Sequence, residues 1–330
     1  MSATRRLIAV VLLVPTLAAV ALWAFAWPAA RTAPRDLPLG VAGPPAATAR
    51  LEKELTRHEG AFEVHRYADR TAARDAVEDR TVYGAVVVTD EGPELLTASA
   101  ASPVVAQLLQ QAIAGQAAAT GGAQVRTVDV VAAPAADPRG AALGASVLPL
   151  ALAGIAAGAV ASLLGLRGSR AVLALVGAAA LVGLVAAALA HSWLGVLTGD
   201  WWAEAAVLGL STLAVSAAVA GCAALLGTPG IGAASFVVMF LGNPFSGAAS
   251  APRMLPEPVG TIGQWLPPGA GTTLLRSVSF FDGAAATGPA LTLAWWAALG
   301  LGAVLLGARL KRGTPGTGPT VEARESALVA

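Results

Sequence analysis

Residues 171–190 read AVLALVGAAALVGLVAAALA, an unbroken apolar run without a single charge. As a helix such a stretch extends roughly 30 Å, the thickness of a bilayer's hydrocarbon core. Arg167 and Arg170 precede it, and His191 and Asp200 follow it. Working outward, 142–166 and 203–226 have the same character, as do 7–27 behind Arg5 and Arg6, and 287–307 ahead of Arg309, Lys311 and Arg312. A weaker block, 231–241, reaches spanning length only if it begins near Pro229 and runs toward Gly247. The pattern predicts a polytopic α-helical membrane protein of about six transmembrane helices, and a composition 56% hydrophobic and 12% charged agrees.

Net charge is +1, so no global basic field points to nucleic acid. The single cysteine, Cys222, lies inside an apolar block, which excludes intramolecular disulfides and cysteine-based zinc sites. The first block resembles a secretory signal with an Ala24-Phe25-Ala26 cleavage match. It exceeds a signal's usual apolar length, however, and Trp23, Trp27 and Pro28 suit an interfacial exit, so 1–30 is read as a retained N-terminal anchor.

Between the first and second blocks the composition changes to frequent charges of both signs. Residues 31–140 are read as an inserted extracytoplasmic domain of mixed α/β type. Strands are expected at 37–41, 62–67, 82–89, 94–98 and 124–131, and helices at 46–58, 71–79 and 103–119. The β-branched run 82–89 is the expected central strand. Residues 141–310 form a five-helix transmembrane domain with an outer interfacial segment at 243–286, and 311–330 is read as a disordered cytosolic tail.

The positive-inside rule tests the count of spans. With six, Arg5 and Arg6, Arg167 and Arg170, and Arg309, Lys311 and Arg312 all share one side. The protein is then a multi-pass cell (plasma) membrane protein with both termini cytosolic and the α/β domain outside.

No acid, base or histidine stands unmistakably at mid-bilayer, which argues against a proton- or ion-coupled carrier. Glu204 is read as an interfacial carboxylate at a helix N-terminus, where the dipole favours it. No nucleotide-binding lysine motif and no catalytic serine turn is present, and His58, His65 and His191 are not spaced as a metal site. Lone surface histidines account for two of the three. No enzymatic activity, metal or cofactor is therefore expected.

The segment 243–286 is too interrupted by proline and glycine to span, yet it is rich in apolar and aromatic residues. It contains Asn243-Pro244-Phe245-Ser246-Gly247, then Gln264-Trp265-Leu266-Pro267-Pro268-Gly269, then Arg276 and Phe280-Phe281-Asp282-Gly283. Short helices at 259–266 and 272–278 could lie along the outer interface, with Trp265, Phe280 and Phe281 at headgroup level. Alternatively the segment dips between the spans and returns, which requires protein or water to satisfy its backbone. Gly154 with Gly158, and Gly177 with Gly183, permit close helix approach and a dimer face.

These features together resemble the ABC-2 type permease group, in particular its phage-infection-protein-like (YhgE/Pip) branch. The likeness rests on one span, an external domain and five further spans. It rests also on Gly242 to Gly247, Leu266-Pro267-Pro268-Gly269, Arg276 and Phe281 to Gly283, and on Val82-Tyr83-Gly84-Ala85 preceded by Asp69, Ala72 and Ala76. The resemblance implies a dimerising or paired permease that works with a separate cytosolic ATP-binding-cassette ATPase and exports a hydrophobic or amphiphilic substrate. Asn243, Pro244, Trp265, Pro267, Pro268, Gly269, Arg276, Phe281 and Gly283 are then candidates for an outer gate. Residues 2–6, the 166–170 turn and the 228–230 loop are candidates for the ATPase contact. The alternative is a membrane-anchored scaffold or receptor, of secretion or phage-receptor type, that acts through the external domain.

Overall fold

A computed structural model describes residues 2–56, 60–119 and 124–312. It is mostly helical, with five helices long and apolar enough to cross a membrane and a β-sheet domain inserted between the first two. The first is α1 (Ala3–Ala30). The inserted domain follows as β1 (Leu37–Ala42), α2 (Pro45–Thr56), β2 (Phe62–Tyr67), α3 (Arg70–Glu78), β3 (Gly84–Thr89), β4 (Gly92–Thr97), α4 (Pro103–Ala119) and β5 (Arg126–Asp129). Every expected element is present, with ends shifted by a few residues. The part of the expected α2 that includes His58 lies outside the described residues.

The five strands form one sheet in the order β2-β1-β3-β4-β5, and β3 is the middle strand. β1 pairs parallel with β2 and β3, β3 antiparallel with β4, and β4 parallel with β5. Middle strands covered on both faces read as continuous apolar runs, which is why 84–88 has no alternation. One face packs Ala85, Val87 and Leu96 against Ala73, Ala76 and Val77 of α3. The other packs Leu37, Leu39, Val86 and Leu95 against Leu55, Val105 and Leu109 of α2 and α4. Gly84 is required there, because a Cβ would stand 2.8 Å from the Leu96 carbonyl and 2.9 Å from Leu109.

The membrane part continues with α5 (Ala141–Leu163), α6 (Gly168–Ala187) extended by a π-helical turn (Ala188–Trp193), and α7 (Trp201–Leu226). α8 (Thr228–Phe236) with its own π-helical turn (Val237–Gly242) comes next. α9 (Val259–Trp265), α10 (Pro267–Phe280) and α11 (Thr287–Arg312) complete the chain's described part. The weak block is thus helical from Thr228 to Gly242, about 22 Å at 1.5 Å per residue and short of a full bilayer core.

α7 is the central pillar, packed by α5, α6, α8, α10 and α11. Being surrounded, it is apolar on every side. Small residues set its close crossings: a Cβ on Gly300 would lie 2.3 Å from the Ala217 backbone, and one on Gly158 would lie 2.5 Å from the Ser216 carbonyl. Gly154 likewise presses on Val215 and Gly183 on Gly209, whereas Gly177 faces open space. Gly154 and Gly158 thus permit the close approach of α5 to α7 within the chain.

Candidate functional site

The segment after Gly242 climbs to the α/β domain, descends as α9 and rises again as α10. Its upper turn is tied to the start of the domain: Ala33 N–H and the Arg35 guanidinium donate to the Met254 carbonyl at 3.0 and 2.9 Å, and Arg35 N–H donates to the Arg253 carbonyl at 3.0 Å. Its lower tip lies deep. The Trp296 indole Nε1 donates to the Trp265 carbonyl at 2.8 Å, and Trp296 is nine positions into α11, about 14 Å below its start. A Cβ on Gly271 would meet Ser211, ten positions into α7, and one on Gly242 would touch the Pro268 ring at 2.8 Å. The segment is therefore a helical hairpin whose tip packs against the middle stretches of α7 and α11. Trp265 is at that tip, which the Trp296 bond and the Gly242–Pro268 contact hold against the bundle.

A helix that begins at such depth leaves backbone donors without water. Pro267 and Pro268 occupy the first two positions of α10 and have no N–H to satisfy. Leu266 N–H donates to the Gly263 carbonyl at 3.2 Å and Ala270 N–H to the Leu266 carbonyl at 3.1 Å. Gln264 binds three segments together, donating to the Ser246 carbonyl at 3.0 Å and accepting from the Thr273 hydroxyl at 2.6 Å. Gly263 and Gly269 allow the limbs to touch: Cβ atoms there would lie 1.7 Å from the Phe245 carbonyl and 2.1 Å from the Gly263 carbonyl. Asn243 and Pro244 open the connecting turn, with the Asn243 carbonyl accepting from the Ser246 hydroxyl at 2.7 Å. Gly283, at φ +83, closes α10 by donating to the Ser277 carbonyl at 2.9 Å.

The top of α10 carries the polar part of the site. Arg276 is 4% exposed and donates to the Ala248 carbonyl at 2.6 Å. Arg80, from the turn after α3, reaches down to the Thr273 carbonyl at 3.0 Å and to the Ser277 hydroxyl, and its guanidinium stands 5.1 Å from the Phe281 ring centroid. Phe281 itself belongs to the sheet's apolar core, and Met254 belongs to the core on the opposite face. The hairpin thus seals both faces of the domain. Burial pulls the Arg80 guanidinium below its ordinary value, opposed by Tyr83. Burial likewise pushes the Tyr83 phenol up, against the pull of Arg80, Arg276 and Arg253. Among the described residues, neither Arg80 nor Arg276 has a carboxylate within ion-pair distance.

Glu204 stands in the first turn of α7 and is fully buried. One oxygen accepts from Gly199 N–H at 2.8 Å and the other contacts His191 Nδ1 at 2.8 Å. His191 is therefore a carboxylate partner and not a lone surface histidine. A signal for this was available: 191 and 204 are equally far from the middle of the turn joining antiparallel α6 and α7, which puts them at one height. Gly199 passes so close to α10 that a Cβ would lie 2.4 Å from the Val278 carbonyl, so this pair and the hairpin share a wall. His65 remains at the surface, 3.5 Å from Glu63.

At the opposite end of the bundle, the 166–170 turn and the 228–230 loop come together. Leu166, Arg167, Thr228 and Ala308 are among the residues around a cavity of about 180 Å³ there. Among the described residues, no group of three His, Cys, Asp or Glu side chains is placed to hold a metal.

No protein-family model, no curated protein and no solved structure matches this chain.

Proposed function

We propose that this polytopic membrane protein is the permease subunit of an ABC-2-like exporter, working with a separate cytosolic ATPase on a hydrophobic or amphiphilic substrate. The observation that carries the reading is the re-entrant hairpin, which enters the bundle to Trp296's depth and is fastened at its upper ends to the α/β domain. Such a part suits an exit gate: it is satisfied internally by Gln264, Pro267 and Pro268, so it can exist inside the membrane, and a movement of the domain would pull on it. The chain reaches the domain side a third time through α8 and the 243–247 turn, so six crossings are proposed, with the Arg167, Arg170 and Arg309 end cytosolic and the domain outside. The cavity bordered by Arg167 and Thr228 at that end offers a footing for the ATPase. Because α7 fills the protomer's centre, substrate would pass between two copies.

The test is purification of the tagged full chain from its native membrane in mild detergent, with identification of copurifying proteins and an ATPase assay. A copurifying ATP-binding-cassette subunit whose activity requires this chain supports the permease. Recovery with external partners and no ATPase favours the scaffold or receptor instead.

A further inference from the structure

The Glu204 carboxyl is 0% exposed, and its partners are few. Oε1 accepts from Gly199 N–H and Oε2 meets His191 Nδ1, both at 2.8 Å. Among the described residues no arginine or lysine lies within ion-pair distance of it. The His191 side chain is 30% exposed, so a proton from water at the domain end of the bundle reaches the pair without the bundle opening. His191 stands on the π-helical turn that ends α6, an interruption of the regular helix of a kind frequent at functional sites. That turn also holds the segment after it, with Val196 N–H donating to the Ala190 carbonyl at 2.9 Å.

The linker 194–200 fastens α10. The Thr198 hydroxyl donates to the Ser279 carbonyl at 3.2 Å, and Gly199 passes the Val278 carbonyl so closely that no Cβ fits. Glu204 thus holds the linker through Gly199, and the linker holds the top of α10. The contact is incompletely bonded, because the Ser279 hydroxyl is buried without a partner. The other charged groups on the surrounding elements are committed elsewhere. Asp200 accepts from Ala203 N–H at 2.8 Å, Asp137 caps the start of α5 through Ala141 N–H at 2.8 Å, and Arg276 donates to the Ala248 carbonyl at 2.6 Å. Arg139 and Asp282 are exposed, and α5 and the near half of α11 carry no charged side chain. Among these groups imidazole is the type that changes charge between about pH 5 and pH 8.

We propose that His191 and Glu204 form a proton-operated latch that sets how firmly the 194–200 linker grips the top of α10. With a neutral ring, Nδ1–H donates to a carboxylate whose charge is otherwise answered by Gly199 N–H alone. A proton taken on Nε2 makes the ring a cation and the contact an ion pair without net charge, which fixes the carboxylate and with it the Gly199 bond. Linkage gives the sign: the closed latch binds the proton more tightly than the open one, so acid closes it and a rise in pH through the imidazole range loosens it. The latch does not depend on transport, so it stands or falls separately from the exporter reading.

The test is hydrogen exchange of the full chain in detergent, read by mass spectrometry over the peptide 194–204 and corrected for the intrinsic pH dependence of exchange. Protection of this peptide should fall roughly tenfold between about pH 5.5 and about pH 8, the order expected when one charge-assisted bond weakens, while α11 is unchanged. His191→Gln keeps an amide donor for Glu204 but does not titrate, so its protection should be the same at both pH values. Glu204→Gln should remove the pH dependence likewise, and it decides the matter if His191→Gln fails to fold. Equal corrected protection of the unaltered chain at both pH values, the result of a merely structural contact, would overturn the latch. So would the same fall in His191→Gln, or a loss of protection that extends over α11.

Discussion

The Arg80 guanidinium lies 5.1 Å from the Phe281 ring centroid, joining the α/β domain to the end of α10, and it does so from a strained backbone. Arg80 has φ +60, a conformation in which glycine is favoured over other residues by about 1 kcal/mol. An arginine held there indicates that its side chain outweighs the strain. Arg80→Ala should lower stability by about 2–3 kcal/mol through the lost bonds to Thr273 and Ser277. Arg80→Gly should recover about 1 kcal/mol of that while leaving the domain just as loosely attached. Thermal melts in detergent read the first effect, and limited proteolysis at the domain junction reads the second. A glycine variant as protease-resistant as the unaltered chain would show that Arg80 does not fasten the domain.

His191 and Glu204 form a buried pair, and breaking one side strands the other. His191→Ala should cost about 3 kcal/mol, because Glu204 is then left with Gly199 N–H alone. Replacing both, as His191→Leu with Glu204→Leu, should cost markedly less than the sum of the single changes. The double-mutant cycle measured by thermal unfolding tests this, and strict additivity would mean that the 2.8 Å contact carries no coupling.

Close approach at the hairpin makes two glycines respond oppositely. Gly263→Ala puts a methyl group 1.7 Å from the Phe245 carbonyl, so the limbs must part at a cost of about 2–3 kcal/mol. Gly177→Ala meets nothing within 4 Å and should be neutral or stabilising by up to about 1 kcal/mol. Yields of monodisperse protein and melting temperatures distinguish the two. Equal behaviour would mean that the hairpin's limbs are not in contact.

The spans and the domain were legible in the sequence because each depends on local chemistry: uncharged runs such as 171–190 for the spans, and the β-branched run 84–88 for the central strand. The hairpin's packing into the bundle was not legible. It is fixed by contacts between residues far apart in the chain, Trp265 with Trp296 and Gly242 with Pro268, which no periodicity encodes. Composition alone allowed the segment either to lie flat or to dip. Gln264 gave a hint, being a lone amide among apolar neighbours that needs partners wherever water is excluded. Arg80 was hidden more completely, since an arginine in a polar domain looks like any solvated surface charge.

Acid should loosen the domain through Glu94. Arg70 grips this carboxylate with two bonds, at 2.5 and 3.1 Å, and Arg126 stands 3.9 Å away. The hydrogen bonds from Arg70 hold the Glu94 carboxyl below the usual range, against a smaller opposing effect of burial. A carboxylate whose folded pKa is depressed contributes stability that is fully present above its unfolded value, about 4.3, and is lost as pH falls through the folded value. Stability should therefore be insensitive to this group near neutrality and decline below about pH 5 as the unfolded chain takes up the proton first. Glu94→Gln removes the titrating group, so the variant should be less stable at pH 7 and show a shallower decline on acidification. Melting temperatures of both proteins in detergent from pH 7 to pH 3 make the comparison. Parallel curves would show that Glu94 has the same proton affinity folded and unfolded, and that the Arg70 contact is a surface pairing without energetic consequence.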